Sequence, residues 1–295
     1  YGPERADLTL TLDALPLALA EQFGGPSLRG ALSLDAALQG PMPAPTATAN
    51  ARLAGFRLPE APGTLDLVAQ ARVADGRAAL DANLTTGETF AIDIDSALPM
   101  RFSLQPVAVA PDLDAPLALG VNGGGDLAAL AAIWGDIGQE LAGQLDIDLR
   151  GRGTPRTPSV EGAVVIADGR YENAASGTIL DPLELRLEAQ GRRLELAVFD
   201  AGDGSGGLYE GSGFVDLADG VDYALALALN SVRVVQRDDV RAQLSGDVRV
   251  AGAPDDTQVS GALRLGPADI AIPEPPPPSV RSVDYVETGG DLSDT

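Results

Sequence analysis

Apolar and polar residues alternate with a period of two along most of this chain. In the first half the apolar positions are Leu32, Leu34, Ala36 and Leu38, then Leu65, Leu67 and Ala69, then Ala78, Leu80, Ala82 and Leu84. Phe90, Ile92 and Ile94 follow, and then Leu117, Leu119 and Val121. The second half is cleaner: Leu145, Ile147 and Leu149, Val164 and Ile166, then Leu183, Leu185 and Leu187. It continues through Leu194, Leu196 and Val198, Leu225, Leu227 and Leu229, Val248 and Val250, and Leu263 and Leu265. Many intervening positions carry Asp, Glu, Arg, Gln, Ser or Thr. Successive side chains of a strand point to opposite faces, so this period predicts strands with one apolar and one wet face.

Turn signals separate the runs at intervals of roughly ten residues. Examples are Asp75-Gly76, Gly151 to Gly153, Asp168-Gly169, Gly191-Arg192 and Asp219-Gly220. Connections this short suit an antiparallel meander, because a parallel crossover needs a dozen or more residues. The pattern predicts an all-β fold of about 18 strands. Such a sheet hides its apolar face by packing on a second sheet, closing into a barrel or curling into a groove. The residues alone favour the sandwich core.

Two segments break the alternation. From Asp126 to Leu141 the apolar residues Leu127, Leu130, Trp134, Ile137 and Leu141 recur every three or four, with Asp126 as N-cap after Gly123-Gly124-Gly125. This predicts an amphipathic helix over 126–141, with Trp134 anchored on the sheet. A weaker helix is expected over 13–23, with Leu15, Leu19 and Phe23 on one side and Gly24-Gly25 as its stop. After each comes the same arrangement. Gly30-Ala31-Leu32-Ser33-Leu34-Asp35 leads to Gly40 and Pro45, and Gly143-Gln144-Leu145-Asp146-Ile147-Asp148 leads to Gly153 and Pro158, at a constant offset of 113 residues. A looser echo starts at Gly246. The chain therefore repeats one module of helix, strand, turn and strand. It divides into a β-rich module over 1–122, a second over 123–272, and a Pro-rich, acidic and partly disordered segment over 273–295.

Composition narrows the chemistry. The formal net charge is −23, and all 20 basic residues are Arg. That balance argues against nucleic acid and against electrostatic docking on anionic lipid. With no His and no Cys, thiol nucleophiles, Cys/His zinc sites and Ser-His-Asp catalysis are absent. Gly202-Asp203-Gly204-Ser205-Gly206-Gly207 fits G-x-G-x-x-G, yet a strand-like segment follows where a dinucleotide site needs a helix. It reads as a turn. No spaced Asp/Asn loop with a closing Glu points to calcium. The sequence implies no enzyme, no metal and no cofactor. It contains no apolar run of about 18 residues, and it opens in mid-pattern as an internal fragment does.

Gly143-Gln144-Leu145-Asp146-Ile147, Gly151-Arg152-Gly153-Thr154-Pro155, Pro158 and Gly162 resemble the C-terminal domain of the TamB family. So do Asp168-Gly169-Arg170-Tyr171-Glu172-Asn173 with Gly177-Thr178, and Val232-Arg233-Val234-Val235-Gln236-Arg237-Asp238-Asp239-Val240 with Leu244-Ser245-Gly246-Asp247-Val248. Gly252, Gly261 and Ile270-Ala271-Ile272-Pro273 complete the likeness, from about Gly143 to Pro273. The resemblance implies an elongated, curved antiparallel sheet, taco- or groove-like, with one or two short helices. It implies a periplasmic segment of an inner-membrane-anchored, AsmA-like protein working with a TamA-like outer-membrane barrel. It implies phospholipid transport and outer-membrane biogenesis, with acyl chains in the groove. On that reading the lining is Leu145, Ile147, Leu149, Val164, Ile166, Leu183, Leu185, Leu187, Leu194, Leu196, Val198, Leu225, Leu227, Leu229, Val248, Val250, Leu263 and Leu265. The alternative is a scaffold that hands outer-membrane strands to a barrel by edge pairing.

Overall fold

The computed structural model describes residues 5–41, 45–104, 107–134, 139–218, 220–236 and 240–270. They form one antiparallel sheet of sixteen strands. In chain order these are β1 (Arg5–Pro16), β2 (Arg29–Pro41), β3 (Thr46–Arg57), β4 (Leu65–Ala74), β5 (Arg77–Thr86), β6 (Phe90–Leu104), β7 (Val107–Pro111) and β8 (Ala118–Asp126). Then come β9 (Gln139–Thr154), β10 (Thr157–Asn173), β11 (Thr178–Gly191), β12 (Arg193–Gly202), β13 (Leu208–Asp216), β14 (Asp222–Gln236), β15 (Val240–Ala253) and β16 (Asp256–Ile270). Each strand pairs with its chain neighbours, except that β7 pairs with β6 alone and β8 takes the next place in the sheet.

Among the described residues β1 and β16 each have a partner on one side only, so the sheet is open. It is curved and groove-like. The sandwich that the residues alone favoured does not form.

The two long edges of the sheet differ. One carries tight turns, as between β4 and β5 or β15 and β16. The other carries the helical elements. Here β1 runs through Pro16, and a 3-10 helix follows over Leu17–Phe23, closed by Gly24. The helix expected over 13–23 thus starts later, because the alternation of Leu8, Leu10 and Leu12 holds the backbone extended against β2. Its Phe23 is exposed.

The helix expected over 126–141 is shorter still. Helix α1 spans Leu127–Ala131, and the Asp126 carboxylate accepts from the Ala128 N–H at 2.9 Å, as an N-cap should. A turn follows at 132–134, and by Gln139 the chain is already in β9. Gln139, Glu140 and Leu141 pair with Asn173, Glu172 and Tyr171 of β10. A longer helix would forfeit that ladder, so pairing overrides the three-to-four periodicity. Ile137 lies outside the described residues. Trp134 is 56% exposed and is no anchor; Leu127 and Ile133 are buried instead. The Thr86 hydroxyl donates to the Ala129 carbonyl and the Gly63 N–H to the Ala132 carbonyl, which fasten α1 to the sheet edge.

The repeat seen in the sequence is structural, since a helical turn precedes β2–β3 and again β9–β10. The boundary drawn at 122/123 falls inside β8, whose two sides pair with β6 and β9. The segment 273–295 lies outside the described residues.

Candidate functional site

Residues in direct cross-strand register share a face of the sheet, so the pairings can be followed across it. One row starts at Leu15 and passes Leu32, Leu53, Leu67, Leu84 and Ile92. It continues through Gly123, Ile147, Val164, Leu187 and Leu196. Gly213, Leu225, Val250 and Val259 end it. The row crosses every strand except β7 without one polar side chain. A parallel row holds Leu12, Leu34, Ala51, Ala69, Ala82, Ile94, Val121 and Leu149.

The reverse face is wet and acidic. Asp35, Asn50, Gln70, Asp81 and Asp95 stand in register, and Arg150 opposes Glu161 farther along. Phe214 falls on this side, opposite Glu195, where the Arg193 guanidinium covers its ring at 3.6 Å from the centroid.

The register sorts the eighteen proposed lining residues. Leu145, Ile147, Leu149, Val164, Ile166, Leu185, Leu187, Leu194 and Leu196 lie together on the apolar face. So do Leu183, Leu225, Leu227, Leu229, Val248, Val250, Leu263 and Leu265. Val198 does not. The register of β11 and β12 shifts by one residue at Ala197, which sets Val198 opposite Arg186 and gives the apolar place opposite Leu185 to Phe199. A bulge inverts the sidedness of everything beyond it, and strict alternation in the sequence conceals it.

Sequence reasoning also passed over the alanines of the first half. Ala36, Ala47, Ala49 and Ala71, with Leu8, Leu10, Leu38 and Val73, line a hollow of about 390 Å³ on the apolar face. Their small side chains leave the floor low. That volume falls within the roughly 300–1,000 Å³ of ligand pockets.

The second half is fuller. Leu183, Ala201, Tyr209 and Val232 form a buried cluster, with Phe199, Leu227, Leu229, Val234 and Leu244 packed on it. Leu183, Leu227 and Leu229 therefore touch protein here. The corner is tied by the glycine-rich tip of the β12–β13 hairpin, the segment that fits G-x-G-x-x-G, which is followed by a strand as the turn reading requires. Asp203 is 1% exposed. One carboxylate oxygen accepts from the Ser205 and Gly207 N–H groups at 2.7 and 2.8 Å, the other from the Arg233 N–H of β14 at 2.8 Å. Burial pushes this carboxyl up, but the three N–H donors from Arg233, Gly207 and Ser205 outweigh it and hold it below the ordinary carboxylate range.

The fold and this face define a class of protein: an open amphipathic sheet, extended strand by strand, with a continuous apolar surface as its recurring feature. Within that class, residues 197–294 match the family profile of the TamB C-terminal domain. The match starts later than the motifs at Gly143 and extends past Pro273, through residues that composition had set apart. That match supports a role in the translocation and assembly module or in envelope biogenesis. No curated protein and no solved structure matches the chain.

Proposed function

We propose that this chain is a segment of a periplasmic lipid conduit, in which the apolar face carries phospholipid acyl chains while the headgroups stay in water. The observation that carries this reading is the unbroken row from Leu15 to Val259. Fifteen strands spaced about 4.8 Å apart extend roughly 70 Å, the length of a path rather than of a pocket. Exposing an acyl chain of about 16 carbons costs roughly 12 kcal/mol, at about 0.8 kcal/mol per methylene. A continuous aliphatic surface removes most of that barrier, and side chains of Ala, Leu, Ile and Val make no directional bonds that would trap a chain in one place. In this reading the full protein is anchored in the inner membrane and meets a TamA-like barrel at the outer membrane. No helix among the described residues is long and apolar enough to cross a membrane.

Organic extraction of the purified chain followed by mass spectrometry tests the proposal. Phospholipid should co-purify in near-stoichiometric amount. A lipid-free chain that binds a barrel partner through its edges would favour the scaffold reading. That alternative draws on β1 and β16, whose outer sides are unpaired among the described residues and whose Leu8, Val259 and Leu265 are exposed.

A further inference from the structure

The apolar face is covered unevenly. Towards the helical edge, Thr86, Phe90 and Gly125 stand in direct register on it, next to the row of Leu84, Ile92 and Gly123. Helix α1 lies over them. The Thr86 hydroxyl reaches the Ala129 carbonyl of α1 at 3.2 Å, and Thr86 and Phe90 are each 2% exposed. Farther along the same margin Val232, with no exposed surface, packs on Leu183, Ala201 and Tyr209. Towards the turn edge the face is bare. Leu8, Leu10, Leu80, Leu119 and Leu225 are exposed there, and the buried side chains on that side, among the described residues, are Pro99 and Ala189 alone. The alanine-floored hollow opens on the same side, its outer wall formed by Leu8, Leu38 and Val73 at the strand ends nearest the turns. The trough is therefore walled at two places along one edge and open along the other.

We propose that the turn edge is the entry side of the trough, and that a glycerophospholipid lies along the strands with its polar end at that edge and its chain ends towards the helical margin. The inference rests on the conduit reading for the presence of a lipid and adds its orientation. Three observations carry it. First, the open length fits. On β3 the apolar places are Ala47, Ala49, Ala51 and Leu53, and β5 repeats them from Ala78 to Leu84. Each run rises about 20 Å, the scale of one extended acyl chain, and on β5 it ends against the row that α1 covers. Second, the helical margin offers a phosphate no welcome. Arg170 there is already held by Asp181 and Glu172, the Thr86 hydroxyl is given to Ala129, and the buried Asp203 carboxylate would repel an anion. A charged group placed under this cover would lose its water without a partner. Third, the rim of the turn edge is wet: Gln39, Thr46, Asp75 and Arg77 are exposed beside the hollow, so a headgroup there keeps its hydration while the chain is buried.

The absence of cysteine makes a clean test possible. Single thiols are placed by Ala47→Cys, near the turn edge, and by Leu53→Cys, at the inner end of the same run. Each variant of the full chain is labelled with bimane, loaded from phosphatidylcholine vesicles and separated from them. The vesicles carry a nitroxide lipid labelled either on the headgroup or near the chain terminus. Because the two positions lie about 20 Å apart, the headgroup nitroxide should quench position 47 at least about twofold more than position 53, and the chain-end nitroxide should do the reverse. Should either β3 variant fail to fold, Ala78→Cys and Leu84→Cys pose the same question on β5. Quenching in the opposite order, or equally at both positions by both lipids, would overturn the orientation and leave the conduit standing. No quenching at either position by either lipid would overturn the conduit and the orientation with it.

Discussion

Gly55 and Asp168, 113 residues apart, occupy the same place in two modules and share one backbone conformation, with φ of 59° and 50°. Each lies in a bulge. Gly55 falls where the β2–β3 register slips between Arg29 and Ala31, Asp168 where the β9–β10 register slips between Ala167 and Arg170. The left-handed conformation costs an ordinary L-residue roughly 1–2 kcal/mol and is milder for Asp and Asn. No atom lies within 4 Å of the Cβ position at Gly55, so only the backbone opposes a side chain there. Gly55→Val should lose about 1–2 kcal/mol in urea unfolding, whereas Gly55→Asp and Asp168→Val should each lose less. Equal losses for Val and Asp at position 55 would contradict a backbone cause.

Filling the alanine-floored hollow should compete with a guest without harming the sheet. Ala71→Trp places a large ring among Leu8, Ala36 and Ala49, on a face that is already half open. We expect lipid recovered by extraction to fall by at least half, with the thermal midpoint within about 2 °C of the parent. Unchanged lipid content would remove the hollow from the path.

The Asp203 tie should fail only in acid. Its carboxyl is held below the ordinary range, so its stabilisation is full above the unfolded value, near pH 4, and is lost as pH falls through the lower folded value. The charged groups around it are the Arg233 side chain, Asp181 in the adjoining bridge, and Arg170 and Glu172, which share an ion-pair network with Asp181; the Tyr209 hydroxyl titrates far higher. Amide protection factors at Ser205, Gly207 and Arg233 should stay constant from pH 8 to pH 5 and collapse below about pH 4. In Asp203→Asn they should be low and flat. A collapse near neutrality would implicate another group.

Midway along the helical edge, Leu127 rather than Trp134 should carry α1. Leu127 is 3% exposed and Trp134 is 56% exposed. Leu127→Ala should cost about 2–4 kcal/mol and Trp134→Ala less than about 1 kcal/mol, read by chemical unfolding. The reverse order would restore the tryptophan as the anchor.

What the sequence reveals here is periodic. Alternation predicts the strands and their apolar face, because in a meander each residue's face follows from its neighbours alone. The helices and Val198 were misread for one reason. Leu141 and Val198 are placed by partners on other strands, β10 and β11, and a local period holds no record of a bulge or of a competing ladder. The corner at Asp203 was equally hidden. Its parts lie about 30 residues apart in a glycine-rich turn and a strand, and only the bend at Ser231 brings them together. The alanine hollow stayed hidden because its depth depends on which alanines fall into register.

The most direct test of the conduit replaces adjacent residues, one at a time, by a photoreactive amino acid in cells making the full-length protein. Leu53 and Ile147 lie on the apolar row, and their neighbours Arg52 and Asp148 on the wet face. Illumination should join phospholipid to positions 53 and 147 and leave 52 and 148 bare. Adducts on both faces alike, or on neither, would contradict the account.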